Sequence, residues 1–401
     1  MTAPEDVVIP PLVEDEPDGR GVVRRRARAV ALQVAGDAAR WDDEERFPES
    51  SLDALRAAGL TGLTVPLEHG GEGLGVGDAC AVLEELATAC VSSAMVAQLY
   101  LNGPPRALAT LGTAAQRARY LPGAVSGERN FAIAISEPDA GSAATDLQTR
   151  LEPDPGGGYR LHGGKCYITG GMRADTVLVF CRLAGTQGSR GIGAVVVERS
   201  QPGFSSPHSQ PKMGGRGVGE SVLEFDGVAV AQDAVVVAPD AASAAGAAVM
   251  LRQFNPERCG NAAMALGAAR AALELSLRHV RTREQFGREL AEFQGLQWKL
   301  CDMAIELDAA RALLYRAADS DADGFPVTRL TAMAKIKANE VAERICHQAI
   351  QLHGHAGYTR DLPLERMYRD VRGMSLAGGT VEVMRNVLAG ELLGRRFSQR
   401  A

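Results

Sequence analysis

The chain has no apolar run approaching the roughly 20 residues that cross a bilayer, no Cys-x-x-Cys pair and no excess of basic charge. Its seven cysteines are scattered and odd in number, which excludes a disulfide framework and a zinc site and fits a reducing cytoplasm. A net charge of -6 over 401 residues offers no global field for nucleic acid or an anionic membrane. The dense basic run Arg24-Arg25-Arg26 opens an amphipathic stretch and reads as a solvated helix face. Also absent are a 20- to 50-residue repeat and an alternating β-α pattern, which disfavours a Rossmann or barrel enzyme.

What is present falls into four stretches. Residues 1–20 are acidic and carry prolines; this matches neither a signal nor a transit peptide and reads as a disordered tail. Residues 21–131 space apolar positions such as Val22, Ala29, Val30, Leu52, Leu55 and Leu60 near a 3.6-residue period, the mark of a helical domain. The glycine-rich Glu68–Gly77 lacks the following lysine of a phosphate loop and reads as a turn. Residues 132–239 hold short β-prone runs, Thr176–Phe180, Ile192–Val197 and Val222–Phe225, between Gly, Pro and Asp turns, so a middle β domain is expected. Residues 240–401 carry Ala-rich helical stretches at Ala262–Arg283, Phe293–Asp319, Val327–His353 and Leu376–Leu393, which predict a C-terminal four-helix bundle. The fold class is α+β.

The chemistry concentrates in short motifs. Leu376-Ala377-Gly378-Gly379-Thr380-Val381-Glu382-Val383-Met384-Arg385 resembles the I-Y-E-G-T-S-E-I-x-R signature of the acyl-CoA dehydrogenase family. Four further segments carry the same likeness: Ala134–Ser142, Tyr159–Gly171, Arg281–Gly287 with Phe293-Gln294, and Gln348–Tyr358 with Leu364–Asp370. The resemblance runs from Gly21 to Phe397 and implies a bound FAD, an acyl thioester substrate and an oxidoreductase acting on a CH–CH bond.

That resemblance assigns residues one by one. The glutamate usual before G-T is Gly378 here, which has no side chain to take a proton. Isovaleryl-CoA and long-chain acyl-CoA dehydrogenases draw their base from a segment like L-D-x-E-R, matched here by Phe254-Asn255-Pro256-Glu257-Arg258. Glu257 is therefore the expected catalytic base, with Asn255, Arg258, Gly378 and Ser142 at the substrate. Ser136, Tyr167 and Thr169 are implied beside the flavin, with Tyr167 where Trp is commoner. Arg283, Gln285, Phe286, Gln351, Gly354, Thr380 and Glu382 match positions that touch the cofactor, several of them a neighbouring subunit's. This implies a homotetramer built as a dimer of dimers.

The residues also set expectations about mechanism. Forming an α,β double bond removes an α proton and a β hydride, so a carboxylate must face flavin N5 across the substrate. Burial should raise the pKa of Glu257 toward neutrality and make it a better base. Pro256 removes a helix hydrogen bond and can kink the chain beside it. In Lys212–Glu220, Val218 and Glu220 stand where the family has hydroxyls. His353 and His355 have no third ligand at local spacing, so no metal is expected; they read as a solvated or dinucleotide-facing pair. Glu365–Asp370 reads as structural ion pairing. Electron-transfer flavoprotein or oxygen is the implied acceptor. Two other readings keep the fold: an enzyme for carrier-protein-bound acyl groups, with decarboxylation or oxygen chemistry, and a non-catalytic flavoprotein.

Overall fold

The computed structural model describes residue 12, residues 19–320 and residues 324–395. The tail expected over residues 1–20 lies outside the described residues except for Leu12, Gly19 and Arg20, and the last two already belong to the first helix. Seven helices come first: α1 (Gly19–Val34), α2 (Ala38–Asp43), α3 (Glu49–Ala57), α4 (Val76–Ala89), α5 (Val91–Leu101), α6 (Pro104–Leu111) and α7 (Ala114–Val125). Their boundaries follow local chemistry. Pro104 opens α6, where a missing N–H costs nothing. Thr113 and Gln116 exchange backbone hydrogen bonds of 3.2 and 2.8 Å in a capping box at α7. The glycine segment after α3 closes on itself: a Cβ on Gly71 would lie 2.1 Å from the Val65 carbonyl oxygen. It is a turn packed against its own backbone.

The middle region is one twisted sheet of nine strands: β1 (Phe131–Ala134), β2 (Arg150–Pro153), β3 (Tyr159–Thr169), β4 (Thr176–Leu183), β5 (Ile192–Glu198), β6 (Phe204–Ser205), β7 (Ser209–Gln210), β8 (Glu220–Val230) and β9 (Val235–Val237). Its order is β6-β8-β3-β2-β4-β5-β9, with β1 beside β4 and β7 beside β8. The three expected β runs lie within β4, β5 and β8. Leu151, Leu161, Val177, Val179, Val195, Val197, Leu223 and Val228 form its separate core.

The C-terminal helices are α8 (Ala245–Val280), α9 (Gln294–Ala318), α10 (Thr328–His353), α11 (His355–Tyr358), α12 (Leu364–Met374) and α13 (Val381–Leu392), with a hairpin of β10 (Glu284–Gln285) and β11 (Arg288–Glu289) after α8. One expectation needs correction. Residues 376–393 are not one helix, because Gly378 and Gly379 both take positive φ, 68° and 95°, and α13 starts only after them. The stretch before them, read as structural ion pairing, forms a helix of its own. Its ion pairs are there too: Arg369 meets Glu365 at 2.7 Å and Asp42 at 2.6 Å.

Alanine explains how the outer helical regions join. The face of α8 from Ala262 to Ala272 is buried throughout, and α4 crosses it so closely that a Cβ on Gly267 would lie 2.2 Å from the Glu84 carbonyl oxygen. Small side chains permit that approach. The crossing also holds a buried ion cluster, which overturns the reading of the basic run as a solvated face. Arg25 faces solvent, but Arg24 is 1% exposed and bonds Glu84 and Glu85 at 3.2 Å each. Arg311 reaches Glu84 at 2.6 Å, and Arg270 binds Glu85 with two bonds of 2.9 and 3.0 Å. The acidic partners come from a helix about sixty residues away, so local sequence gives no sign of them.

Candidate active site

Glu257 sits in the first half of α8, which continues through Pro256 as helix. The proline leaves the Arg252 carbonyl without its intrahelical donor, and one residue back the Arg258 guanidinium donates to the Leu251 carbonyl at 3.2 Å. Gln98 of α5 donates to the Glu257 carbonyl at 3.0 Å, and Gly260 lets that side chain pack against α8. The Glu257 carboxylate differs from every other buried acid nearby. Its residue is partly exposed, yet its Oε1 is enclosed and has no hydrogen-bond partner among the described residues. Burial pushes its pKa up to about 8, against the opposing pull of Arg258.

Gly378 lies against the next residue of the helix, Arg258. Arg258 donates from Nε to the Gly378 carbonyl at 3.0 Å, and from Nη1 to Asn255 Oδ1 at 2.9 Å. The nearest atom to a Cβ built on Gly378 is Arg258 Cγ at 3.8 Å, so space for a side chain exists there. Asn255 and Arg258, expected at the substrate, are only 1% and 6% exposed. Asn255 donates to Pro326 O at 2.9 Å and Thr328 Oγ1 at 3.0 Å. Both side chains are thus committed to protein partners, and they support the turn of helix that carries Glu257. Thr380 caps α13, its Oγ1 accepting from the Val383 N–H at 3.2 Å, and Glu382 is exposed in the first turn of that helix.

Ser136, Tyr167 and Thr169 gather at the rim of the sheet. Cys166 N–H donates to the Ser136 carbonyl at 3.0 Å, which fastens the Ser136–Ser142 loop to β3. Tyr167 has φ 57° at a register shift between Lys165 and Ile168. Such a bulge re-aims a side chain, and the ring is 59% exposed. An aromatic face held out on a left-handed backbone suits a flat ring stacked against it, so the residues fit a flavin. Sequence reasoning missed what braces this rim: Lys165, buried, donates to Glu137 at 2.7 Å and to Ile135 O at 2.8 Å, while Glu137 Oε1 also accepts from the Thr149 N–H at 2.9 Å. Ser142 is exposed on the loop.

Arg283, Gln285 and Phe286 stand elsewhere, on and beside the exposed hairpin after α8, and Gln351 and Gly354 are exposed where α10 ends. From Glu257 to Val280 the helix runs about 35 Å at 1.5 Å per residue. The hairpin therefore stands far along the helix from Glu257. Between the two helix ends, His279 and His353 stack with centroids 4.2 Å apart, and burial lowers the His279 pKa to about 4. This corrects the expected pairing of His353 with His355. His353 is buried, its Nδ1 2.8 Å from the Ala349 carbonyl, whereas His355 is exposed beside Tyr358. Among the described residues no cluster could hold a metal, and no helix is long and apolar enough to cross a membrane.

Comparison with known proteins agrees with this architecture. Family models for the N-terminal, middle and C-terminal domains of acyl-CoA dehydrogenase match residues 19–128, 132–228 and 244–393. The 3-sulfinopropanoyl-CoA desulfinase of Paraburkholderia xenovorans is 41% identical over 96% of this chain and 98% of its own. The acryloyl-CoA reductase (NADH) of Anaerotignum propionicum is 35% identical over 93% and 94%. The structure of butyryl-CoA dehydrogenase from Megasphaera elsdenii superposes with a TM-score of 0.90 at 30% identity, over 95% of this chain and 100% of that one. Helical, β and helical regions in this order, with these relatives, define a flavin-dependent oxidoreductase of acyl-CoA thioesters. The chain belongs to the acyl-CoA dehydrogenase family.

Proposed function

We propose that this protein desaturates an acyl-CoA between its α and β carbons, with Glu257 as the base. The observation that carries the proposal is the enclosed Glu257 Oε1, which has no hydrogen-bond partner among the described residues, in a chain whose Gly378 has no side chain to act as base. A carboxylate with a pKa of about 8 holds an abstracted proton well near neutral pH. FAD, when bound, supplies the hydride acceptor, and Ser136, Tyr167 and Thr169 would hold its ring. The peptide N–H groups of the 378–380 turn would donate to the thioester oxygen as negative charge develops there. Ser142 would meet the pantetheine or a phosphate. Ala377, small where tyrosine is common, favours a short or branched acyl group over a long straight one. The acceptor is electron-transfer flavoprotein or oxygen, the location is cytoplasmic, and CoA is favoured over a carrier protein.

Glu257→Gln tests the base. Its folded, FAD-loaded form should reduce flavin about two to four orders of magnitude more slowly with substrate; a wild-type rate would sink the assignment. A second reading draws on the relatives named for desulfination, of which the P. xenovorans enzyme is 41% identical. Release of sulfite from 3-sulfinopropanoyl-CoA without flavin bleaching, alongside no bleaching by butyryl- or isovaleryl-CoA, would favour that chemistry.

We also propose a homotetramer in which Arg283, Gln285, Phe286, Gln351 and Gly354 complete a neighbour's cofactor site. Phe286 is 94% exposed, and an apolar groove of about 590 Å³ lined by Ala309, Leu313, Met333, Ile336 and Leu388 lies open between α9, α10 and α13. Arg283→Ala should weaken FAD retention in a tetramer of unchanged mass. A monomer that holds FAD as tightly as any relative would overturn the arrangement.

A further inference from the structure

The turn between α12 and α13 is gripped by two basic side chains that the reaction as described leaves unused. Lys335 of α10 is fully buried. Its Nζ donates to the Ala377 carbonyl at 2.5 Å and also to the Gly379 carbonyl, while Arg258 of α8 donates to the carbonyl between them, that of Gly378. Three successive carbonyls therefore point at two side chains. Described peptide bonds are trans, and in a trans peptide the N–H points opposite to the C=O. The N–H groups of Gly378, Gly379 and Thr380 consequently face away from Lys335 and Arg258, and none of the three has an acceptor among the described residues. The neighbouring Val381 N–H, by contrast, is taken by Ser375 O at 3.2 Å.

The grip extends to the other end of the turn. Asn339 donates to the Lys335 carbonyl at 2.8 Å and to Asn261 Oδ1 at 3.0 Å, and Asn261 donates to the Met374 carbonyl at 3.1 Å. The turn is tied to both central helices α8 and α10 through its backbone, and Ser375 Oγ adds a side-chain bond to Glu343 of α10. Left-handed φ at Gly378 and Gly379 makes the alignment possible, since residues with a Cβ resist that conformation. A donor bound to a carbonyl also polarises the peptide and strengthens its N–H as a donor.

Resting on the acyl-CoA reading above, we infer that Lys335, with Arg258, is a positioning residue: it holds the carbonyls of residues 377–379 so that the opposite N–H edge of the turn binds the enolate oxygen of the substrate. The inference gives a role to a buried lysine that has no carboxylate partner among the described residues. Burial and the nearby Arg258 lower its pKa to about 7, with Glu382 opposing; as amine or ammonium it has the two N–H donors the two carbonyls need.

The test compares wild-type holoenzyme with Lys335→Met and with Lys335→Gln, whose shorter side chain reaches one carbonyl at most. Bound 3-oxobutanoyl-CoA reports enolate stabilisation through its own ultraviolet absorbance and needs no hydride transfer. Lys335→Met should form about tenfold less enolate at neutral pH and reduce flavin with butyryl-CoA about 10- to 100-fold more slowly, a part of the loss expected on removing one oxyanion donor. Half-saturation should stay within about threefold, because the donors act when charge develops and not on the ground state. Hydrogen exchange of the Gly378–Thr380 amides should speed up, with or without FAD. Lys335→Gln should lie between, and it carries the test where the methionine variant does not fold. Wild-type enolate and wild-type exchange in an FAD-replete variant would overturn the inference. Normal enolate contrast in an enzyme that no acyl-CoA reduces would instead sink the dehydrogenation reading and leave the positioning role standing.

Discussion

Glu84 and Glu257 are both enclosed carboxylates at the heart of this molecule, and their surroundings send them in opposite directions. Burial alone would raise both. At Glu84, Arg311, Arg270 and Arg24, with a hydrogen bond from Tyr315, overcome burial and bring the pKa down to about 2. At Glu257, Arg258 is the one opposing charge among the described residues, and burial wins with a pKa of about 8. The Arg258 guanidinium is turned instead to Gly378, Asn255 and Leu251. A fold that needs a carboxylate for cohesion surrounds it with cations; one that needs a proton acceptor withholds them.

Breaking the first site should have the largest effect on stability. Glu84→Gln leaves three buried guanidinium groups short of an anion, at a cost of about 3–5 kcal/mol and a fall in Tm of about 4–6 °C in a chain of this length. A loss under 2 °C would mean the cluster is redundant.

Glu257→Gln should do the reverse, and only at high pH. A folded pKa raised above the unfolded carboxylate value gives stability that is full below about 4.5 and is lost as pH rises through about 8. The amide escapes that loss, so its Tm should exceed wild type on the order of 5 °C at pH 9 and match it at pH 5. Equal Tm values at both pH values would mean that the carboxylate is not desolvated.

The smallest effect sharpens the comparison at Gly378. Adding Gly378→Glu to Glu257→Gln returns a carboxylate to the position commoner in the family, and the space there is open. The left-handed φ of 68° costs a non-glycine residue about 1–2 kcal/mol, so recovery of flavin reduction should be partial. No recovery at all, with FAD retained, would place the reacting carbon out of reach of that position.

The contrast between the two acids was half visible in the sequence. Glu257 could be read because its motif and the missing side chain at Gly378 compensate each other within short, recognisable segments. Glu84 could not. Its partners come from α1, α8 and α9, and the run Arg24-Arg25-Arg26 looks locally like any solvated face. Lys335 was hidden for the same reason, since a single lysine in a polar-looking helix gives no sign that it meets backbone carbonyls forty residues on. His353 and His355 misled by closeness in sequence: a glycine with φ 60° at Gly354 separates them, and the true neighbour, His279, belongs to another helix. The order of helical, β and helical regions was legible because each rests on period and composition, while the split at 375–380 depended on two left-handed glycines.

The central claim, that withheld charge at Glu257 makes it the base, is tested most directly by anaerobic flavin reduction as a function of pH, in wild type and Glu257→Gln together. At low acyl-CoA concentration the wild-type rate should rise with pH through a midpoint near 8, as the free carboxylate loses its proton. The variant, with FAD bound, should be slower by about two to four orders of magnitude and lack that rise. Equal rates in the two proteins, or a wild-type profile that falls across the same range, would contradict it.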